Sequence, residues 1–225
     1  MAQRRTRLYK YISTEHAIDI LEKGRLYLSD GTNFNDPFEL AVTAKKTDTV
    51  QHIDGLHILS LTNSYRKKLM WSHYADSHRG LCLTVEVPAD LVYPICYTSK
   101  RIYEDSDLDQ IIQNRGKERG KNNLKKLYVP LAREKKIAYI KDQKWSYEKE
   151  YRIVFNEEDE PHLIYEDQKW YMPVKITNVY LGVRFDSECQ ENKEILEICE
   201  RNGIKVTPMV LSKTKYALEI KRIEK

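Results

Sequence analysis

Apolar and polar positions divide the chain into short segments of changing period. Leu8 to Ile12 alternates as a strand does, and Ser13 then offers a side-chain oxygen to cap a helix. The spacing of Ala17, Ile18 and Leu21 predicts that helix over 14–23, with Gly24 as its left-handed stop. Arg25 to Ser29 returns as a strand. Leu56 to Thr62 is a continuous apolar strand, and a short helix follows over 67–75. Gly80 to Val87 and Val92 to Tyr97 are strands separated by Pro88. The pattern from about Asp107 to Ala138 is helical, with Pro130 dividing or kinking it.

Three further strands are predicted over 150–155, 170–174 and 176–183, then a helix over 187–201 stopped by Asn202 and Gly203. Strands over 204–211 and 216–223 finish the chain. Helices fall between strands, yet several strands follow one another as hairpin-like pairs. The pattern predicts an α+β fold, a mixed and mostly antiparallel sheet with helices packed outside. No repeat or long linker divides the chain, so a single domain over 1–225 is expected.

Composition changes this picture in three places. Sixteen Tyr stand against four Phe, and tyrosine supplies apolar area together with a hydroxyl, so it suits polar pockets as well as cores. The net charge of +4 is interleaved except at Arg4, Arg5 and Arg7 and across 115–136, a basic segment that could meet nucleic-acid phosphates or form a solvated helix face. Cys82, Cys96, Cys189 and Cys199 show no framework or CxxC spacing. That predicts a reducing, cytoplasmic setting without disulfides or structural zinc. No signal core or membrane-length apolar run is evident, so no membrane partner is expected. No motif indicates oligomeric state.

Candidate chemistry concentrates in three segments. In the loop NFNDPFE, Pro37 holds Asp36 extended, so Phe34 and Phe38 are expected to pin the loop while Asn35, Asp36 and Glu39 point elsewhere. The bland alternative is that Asn35 and Asp36 satisfy loop backbone. In MWSHYADSHRG, helical spacing puts Met70, Trp71 and Tyr74 on one face and His73 with Asp76 on another. Two ligands close no metal site, so no metal is expected and His73 reads as a structural or acid-base histidine. In KWSYEKEYR, period two places Glu148, Glu150 and Arg152 on one strand face, with Trp145 and Tyr147 adjacent. Close carboxylates repel, which raises one pKa unless Arg152 or a ligand compensates.

These segments together (LYKYIS, GRLYLSDGTNFNDPFE, LMWSHYADSHRGLCL and KWSYEKEYRIVF) resemble a bacterial family known as a domain of unknown function. That resemblance implies an intracellular protein, with a role in phage defence suspected for some members. A second resemblance is to ADP-ribosyltransferases, through the strand–helix–strand opening and the Glu148-Lys149-Glu150 pair. It implies a split mixed sheet and NAD as substrate, with no bound cofactor. Glu150 would stabilise the oxocarbenium-like state, and Glu148 would orient an acceptor, held ionised by Arg152. His73 would border the pocket. Trp71, Tyr74 and Tyr147 would stack on nicotinamide, while Lys10, Tyr11, Asn35 and Asp36 would line the ribose and phosphate side. The first-strand Arg or His of those enzymes is not evident here. A nuclease-type toxin or effector, with His73 or His78 as acid-base group, and a non-catalytic ligand- or partner-binding module are the alternatives that the residues leave open.

Overall fold

In a computed structural model, residues 4–31, 34–44, 49–100, 108, 110, 132–156, 159 and 163–221 are described. The elements begin with β1 (Arg5–Ile12), a 3-10 turn (Thr14–His16), α1 (Ala17–Lys23) and β2 (Arg25–Tyr27). The chain continues through β3 (Ala41–Ala44), β4 (Thr49–His52), β5 (His57–Thr62), α2 (Lys68–Tyr74) and β6 (Leu81–Pro88). Next come β7 (Tyr93–Pro94), β8 (Cys96–Thr98), α3 (Arg133–Ile137), β9 (Ile140–Asp142) and a 3-10 helix (Gln143–Glu148). Then follow β10 (Glu150–Phe155), β11 (Ile164–Glu166), β12 (Lys169–Pro173), β13 (Lys175–Leu181), α4 (Gln190–Arg201), β14 (Lys205–Leu211) and β15 (Leu218–Ile220). The architecture is α+β with mixed, mostly antiparallel pairing, as the sequence pattern predicts.

The chain sorts into two compact units. The first comprises Met1–Leu26, Leu61–Asp90 and Tyr171–Lys225; the second comprises Tyr27–Ser60 and Leu91–Trp170.

In the first unit the strands run in the order β15-β14-β13-β6-β1, and only β13 and β14 are parallel among them. Strand alternation gives this sheet two unlike faces. Leu8, Leu83, Val85 and Val179 are all buried. α1 buries Ala17 and Leu21, α4 buries Ile195, Ile198 and Cys199, and the two helices pack together. Gly24 ends α1 at φ 60°, as expected. Ser13, by contrast, makes no side-chain cap, because the helix opens through the 3-10 turn instead.

In the second unit β10 pairs with β7, β8 runs parallel to β9, and β3 with β4 forms a hairpin. Its core gathers Leu56, Ile58, Ile95, Tyr97, Ile137, Tyr139 and Val154, with Phe34 and Trp145 packed against it. The predicted strand over 92–97 is two short strands, β7 and β8. Of the helical pattern predicted over 107–138, only 108, 110 and 132–138 are described. The rest, with most of the basic segment 115–136, lies outside the described residues.

A buried charge cluster as candidate functional site

β9 and β10 carry the site, and the short link between them shapes it. Asp142 ends β9 and accepts the Lys144 N–H at 2.8 Å, which starts the 3-10 helix. Lys149 then takes a left-handed conformation at φ 49°, and the chain turns into β10. Glu148 is therefore the last residue of a 3-10 helix and not a strand residue, which corrects the period-two expectation. The same turn displaces Tyr147 from the strand, since one left-handed residue breaks the alternation that EKEYR suggests.

The side chains nevertheless converge. The Lys141 ammonium lies 2.7 Å from Glu148, 2.8 Å from Glu39 and 3.2 Å from Glu150. The Arg152 guanidinium reaches Glu150 at 2.6 Å, pairs with Glu39, and donates to the Ala138 carbonyl at 2.7 Å. All five charged residues are buried, with Arg152 only 1% exposed. Aromatic rings close around them: Phe34 stands 5.0 Å from the Arg152 guanidinium and Trp145 5.0 Å from the Lys141 ammonium. The Tyr97 hydroxyl accepts the Glu150 backbone N–H at 2.8 Å.

Burial alone would push the Glu150 carboxyl up. Arg152 and Lys141 outweigh it and, with hydrogen bonds from Arg152 and Ser60, hold the group at about 2. Burial likewise disfavours the charged forms of Lys141 and Arg152, but Glu150 and Glu39 raise both, with Glu148 adding to Lys141. The compensation expected of Arg152 is thus present, and Lys141 shares it. Glu39 and Lys141 are the members that sequence reasoning did not place in this cluster. A lysine in the short strand Ile-Lys-Asp reads as a solvated residue, and nothing local announces its partners.

The NFNDPFE loop serves the cluster. The buried Asp36 accepts the Phe38 N–H at 2.9 Å, forming the turn that sends Glu39 inward. This corrects the expected pinning: Phe34 packs inward, whereas Phe38 is 58% exposed and Glu39 is buried. Asn35 is exposed. Beside the loop a cavity of roughly 120 Å³ opens among Leu40, Thr98, Ser99, Lys100, Lys141 and Asp142.

The remaining candidates belong to the first unit. Trp71 is wholly buried and donates its indole N–H to the Tyr65 carbonyl at 2.7 Å. Tyr11 meets it edge-on at 5.2 Å, and the Tyr11 hydroxyl donates to the Ser64 carbonyl. Both side chains are accounted for by packing. Lys10 and Tyr74 are half-buried, and His73 is exposed beside Tyr74. Asp76 lies beyond α2 in a separate turn at φ 41°, so it does not extend the helical face of His73 as predicted. Among the described residues no group of three or more His, Cys, Asp or Glu side chains is disposed to hold a metal ion. Among them, too, no helix is long and apolar enough to cross a membrane.

A family model described as "Protein of unknown function (DUF2971)" matches residues 70–153, a span that includes most of α2 together with β6, β9 and the Glu148–Arg152 segment. The chain is therefore similar to an uncharacterised domain family over that region. No curated protein and no solved structure matches the chain.

Proposed function

We propose that this chain acts as a ligand-binding module, with the cavity beside the charge cluster as its binding site. One observation carries the reading: Lys141 lines that cavity while three glutamates hold its ammonium. Such anchoring fixes one wall of a pocket whose lining also includes Thr98, Ser99 and Lys100. Polar groups beside a preformed, partly apolar wall suit a compact polar ligand. The volume limits that ligand, or the part of it that enters, to a few heavy atoms.

ADP-ribosyl transfer from NAD asks more of Glu150. Its carboxylate would have to face a developing cation on the substrate, whereas here it is 6% exposed and spends its lone pairs on Arg152 and Lys141. The test is nicotinamide release and label transfer from labelled NAD in a cell lysate, comparing wild type with Glu150→Gln. The binding-module reading expects no release that depends on Glu150, together with a lowered melting temperature for the variant. Release lost in a folded Glu150→Gln protein overturns it in favour of the transferase.

A further inference from the structure

The first unit carries a second surface, independent of the cavity and of the reading built on it. On the sheet face opposite the buried Leu8, Leu83 and Val179, strand register aligns side chains in rows. One row is Tyr9, Thr84, Asn178 and Lys205; the next is Arg7, Glu86 and Lys175. Tyr180 stands in the row on the other side of Tyr9, and Tyr65 stacks on it with ring centroids 4.0 Å apart and planes 6° from parallel. Tyr9 leans on both, at 5.4 Å from Tyr65 and 6.2 Å from Tyr180. All three rings are half-buried, so part of each remains accessible.

Two features distinguish this face from an ordinary solvated sheet. Its charge is basic: Arg5, Arg7, Lys175 and Lys205 are exposed, and Arg66 donates to the Tyr65 hydroxyl at 3.0 Å. The acid of these rows, Glu86, is taken up by Arg7 at 2.9 Å. The second feature is an orphaned polar group. Asn178 is only 9% exposed; its Oδ1 accepts from Thr207 at 2.8 Å, and its Nδ2 has no partner among the described residues. Turning the amide over exchanges which end is satisfied and still leaves one end unpaired. A buried amide end without a partner is unfavourable by about 1–3 kcal/mol, so its retention at the centre of an aromatic, basic face points to a ligand that completes it.

We infer that this face binds single-stranded RNA, with bases stacking against the Tyr9–Tyr65–Tyr180 cluster and phosphates meeting Lys175, Lys205 and Arg66. Every base presents a π-face to an aromatic platform, and single strands leave that face free. The Asn178 amide beside the Thr84 hydroxyl offers a donor and an acceptor, the pair that a ribose 2′-hydroxyl or a base edge requires. Burial first, then Tyr65 and Tyr9, push the Tyr180 phenol up to about 12, so it remains a neutral donor at physiological pH.

The test is fluorescence anisotropy with a labelled oligouridylate of about a dozen nucleotides, long enough to span such a platform. The full chain is titrated at low and at moderate salt. Wild type is expected to bind at low salt and to weaken as salt rises. The double variant Lys175→Glu, Lys205→Glu, altered only at exposed positions, is expected to bind at least about tenfold more weakly. Tyr180→Leu, which keeps an apolar contact for Tyr65, is expected to lose a similar factor with an unchanged salt slope. Melting curves for each variant confirm that it is folded. Absence of binding by wild type overturns the inference. So does binding that ignores both variants, which would place the contact elsewhere, or a duplex or deoxy-oligonucleotide that competes as well as the RNA.

Discussion

Arg152 grips the carboxylate of Glu150 from two residues along the same strand, with Nε 2.6 Å from one oxygen and Nη2 3.1 Å from the other. Because Glu39 and Glu148 join Glu150 around Lys141 and Arg152, the cluster holds three carboxylates against two cations. Removing a cation leaves buried negative charge unmatched, whereas removing one carboxylate leaves equal numbers. Arg152→Met is therefore expected to destabilise the protein by about 3–5 kcal/mol. Glu150→Gln should cost less, about 1–3 kcal/mol, through its lost hydrogen bonds. Urea denaturation at neutral pH measures both, and equal losses would contradict the charge count.

The same cluster makes stability depend on acid. Glu150 titrates at about 2 in the folded protein, against about 4.5 for the unconstrained group. The unfolded chain thus takes up a proton that the folded chain does not, and stability falls as pH drops from about 4.5 towards 2. Above that window the depressed value contributes about 3 kcal/mol. Urea midpoints for wild type should fall steeply between pH 5 and about 3. Those for Glu150→Gln should fall less, and parallel curves would remove Glu150 as the source.

Local structure was largely legible in the sequence, and the partners in the cluster were not. β10 begins and ends where alternation predicts, and Gly24 and Gly203 both adopt the left-handed stop. The β3–β4 hairpin escaped because every residue of β4 is exposed, which removes the in-out alternation. Glu148, Glu150 and Arg152 were grouped correctly since they are neighbours in sequence. Glu39 bonds Arg152 from 113 residues away, and periodicity carries no information across that distance. Trp71 and Tyr11 show the converse: aromatic rings near polar residues resemble a stacking site in sequence, yet here they fill a core.

Trp71 fixes the turn that presents Tyr65. Its wholly buried indole fills space against Tyr11 and satisfies the Tyr65 carbonyl at 2.7 Å. Trp71→Ala leaves a cavity and an unpaired carbonyl, so a loss of about 3–5 kcal/mol is expected. Trp71→Phe retains much of the volume and loses the donor, for a smaller loss of about 1–3 kcal/mol. Calorimetric melting of the two variants tests this order. A Phe variant as unstable as the Ala variant would show that the lost hydrogen bond, not the lost volume, governs the site.

Two glycines in the first unit should respond to very different degrees to a single added methyl group. A Cβ at Gly182 would sit 2.0 Å from the His78 carbonyl oxygen and 3.0 Å from the Gly80 carbonyl oxygen, which accepts the Gly182 N–H. Both obstacles are backbone, and His78 is itself held at φ 72°, so relief requires the turn to move. Gly203 has φ 63° but nothing within 4 Å of its added Cβ. Gly203→Ala therefore meets only left-handed strain, about 1 kcal/mol. Gly182→Ala is expected to destabilise by more than about 3 kcal/mol or to prevent folding. Soluble yield and urea midpoints separate the two, and a Gly182→Ala protein of near wild-type stability would show that the turn over 76–78 yields readily.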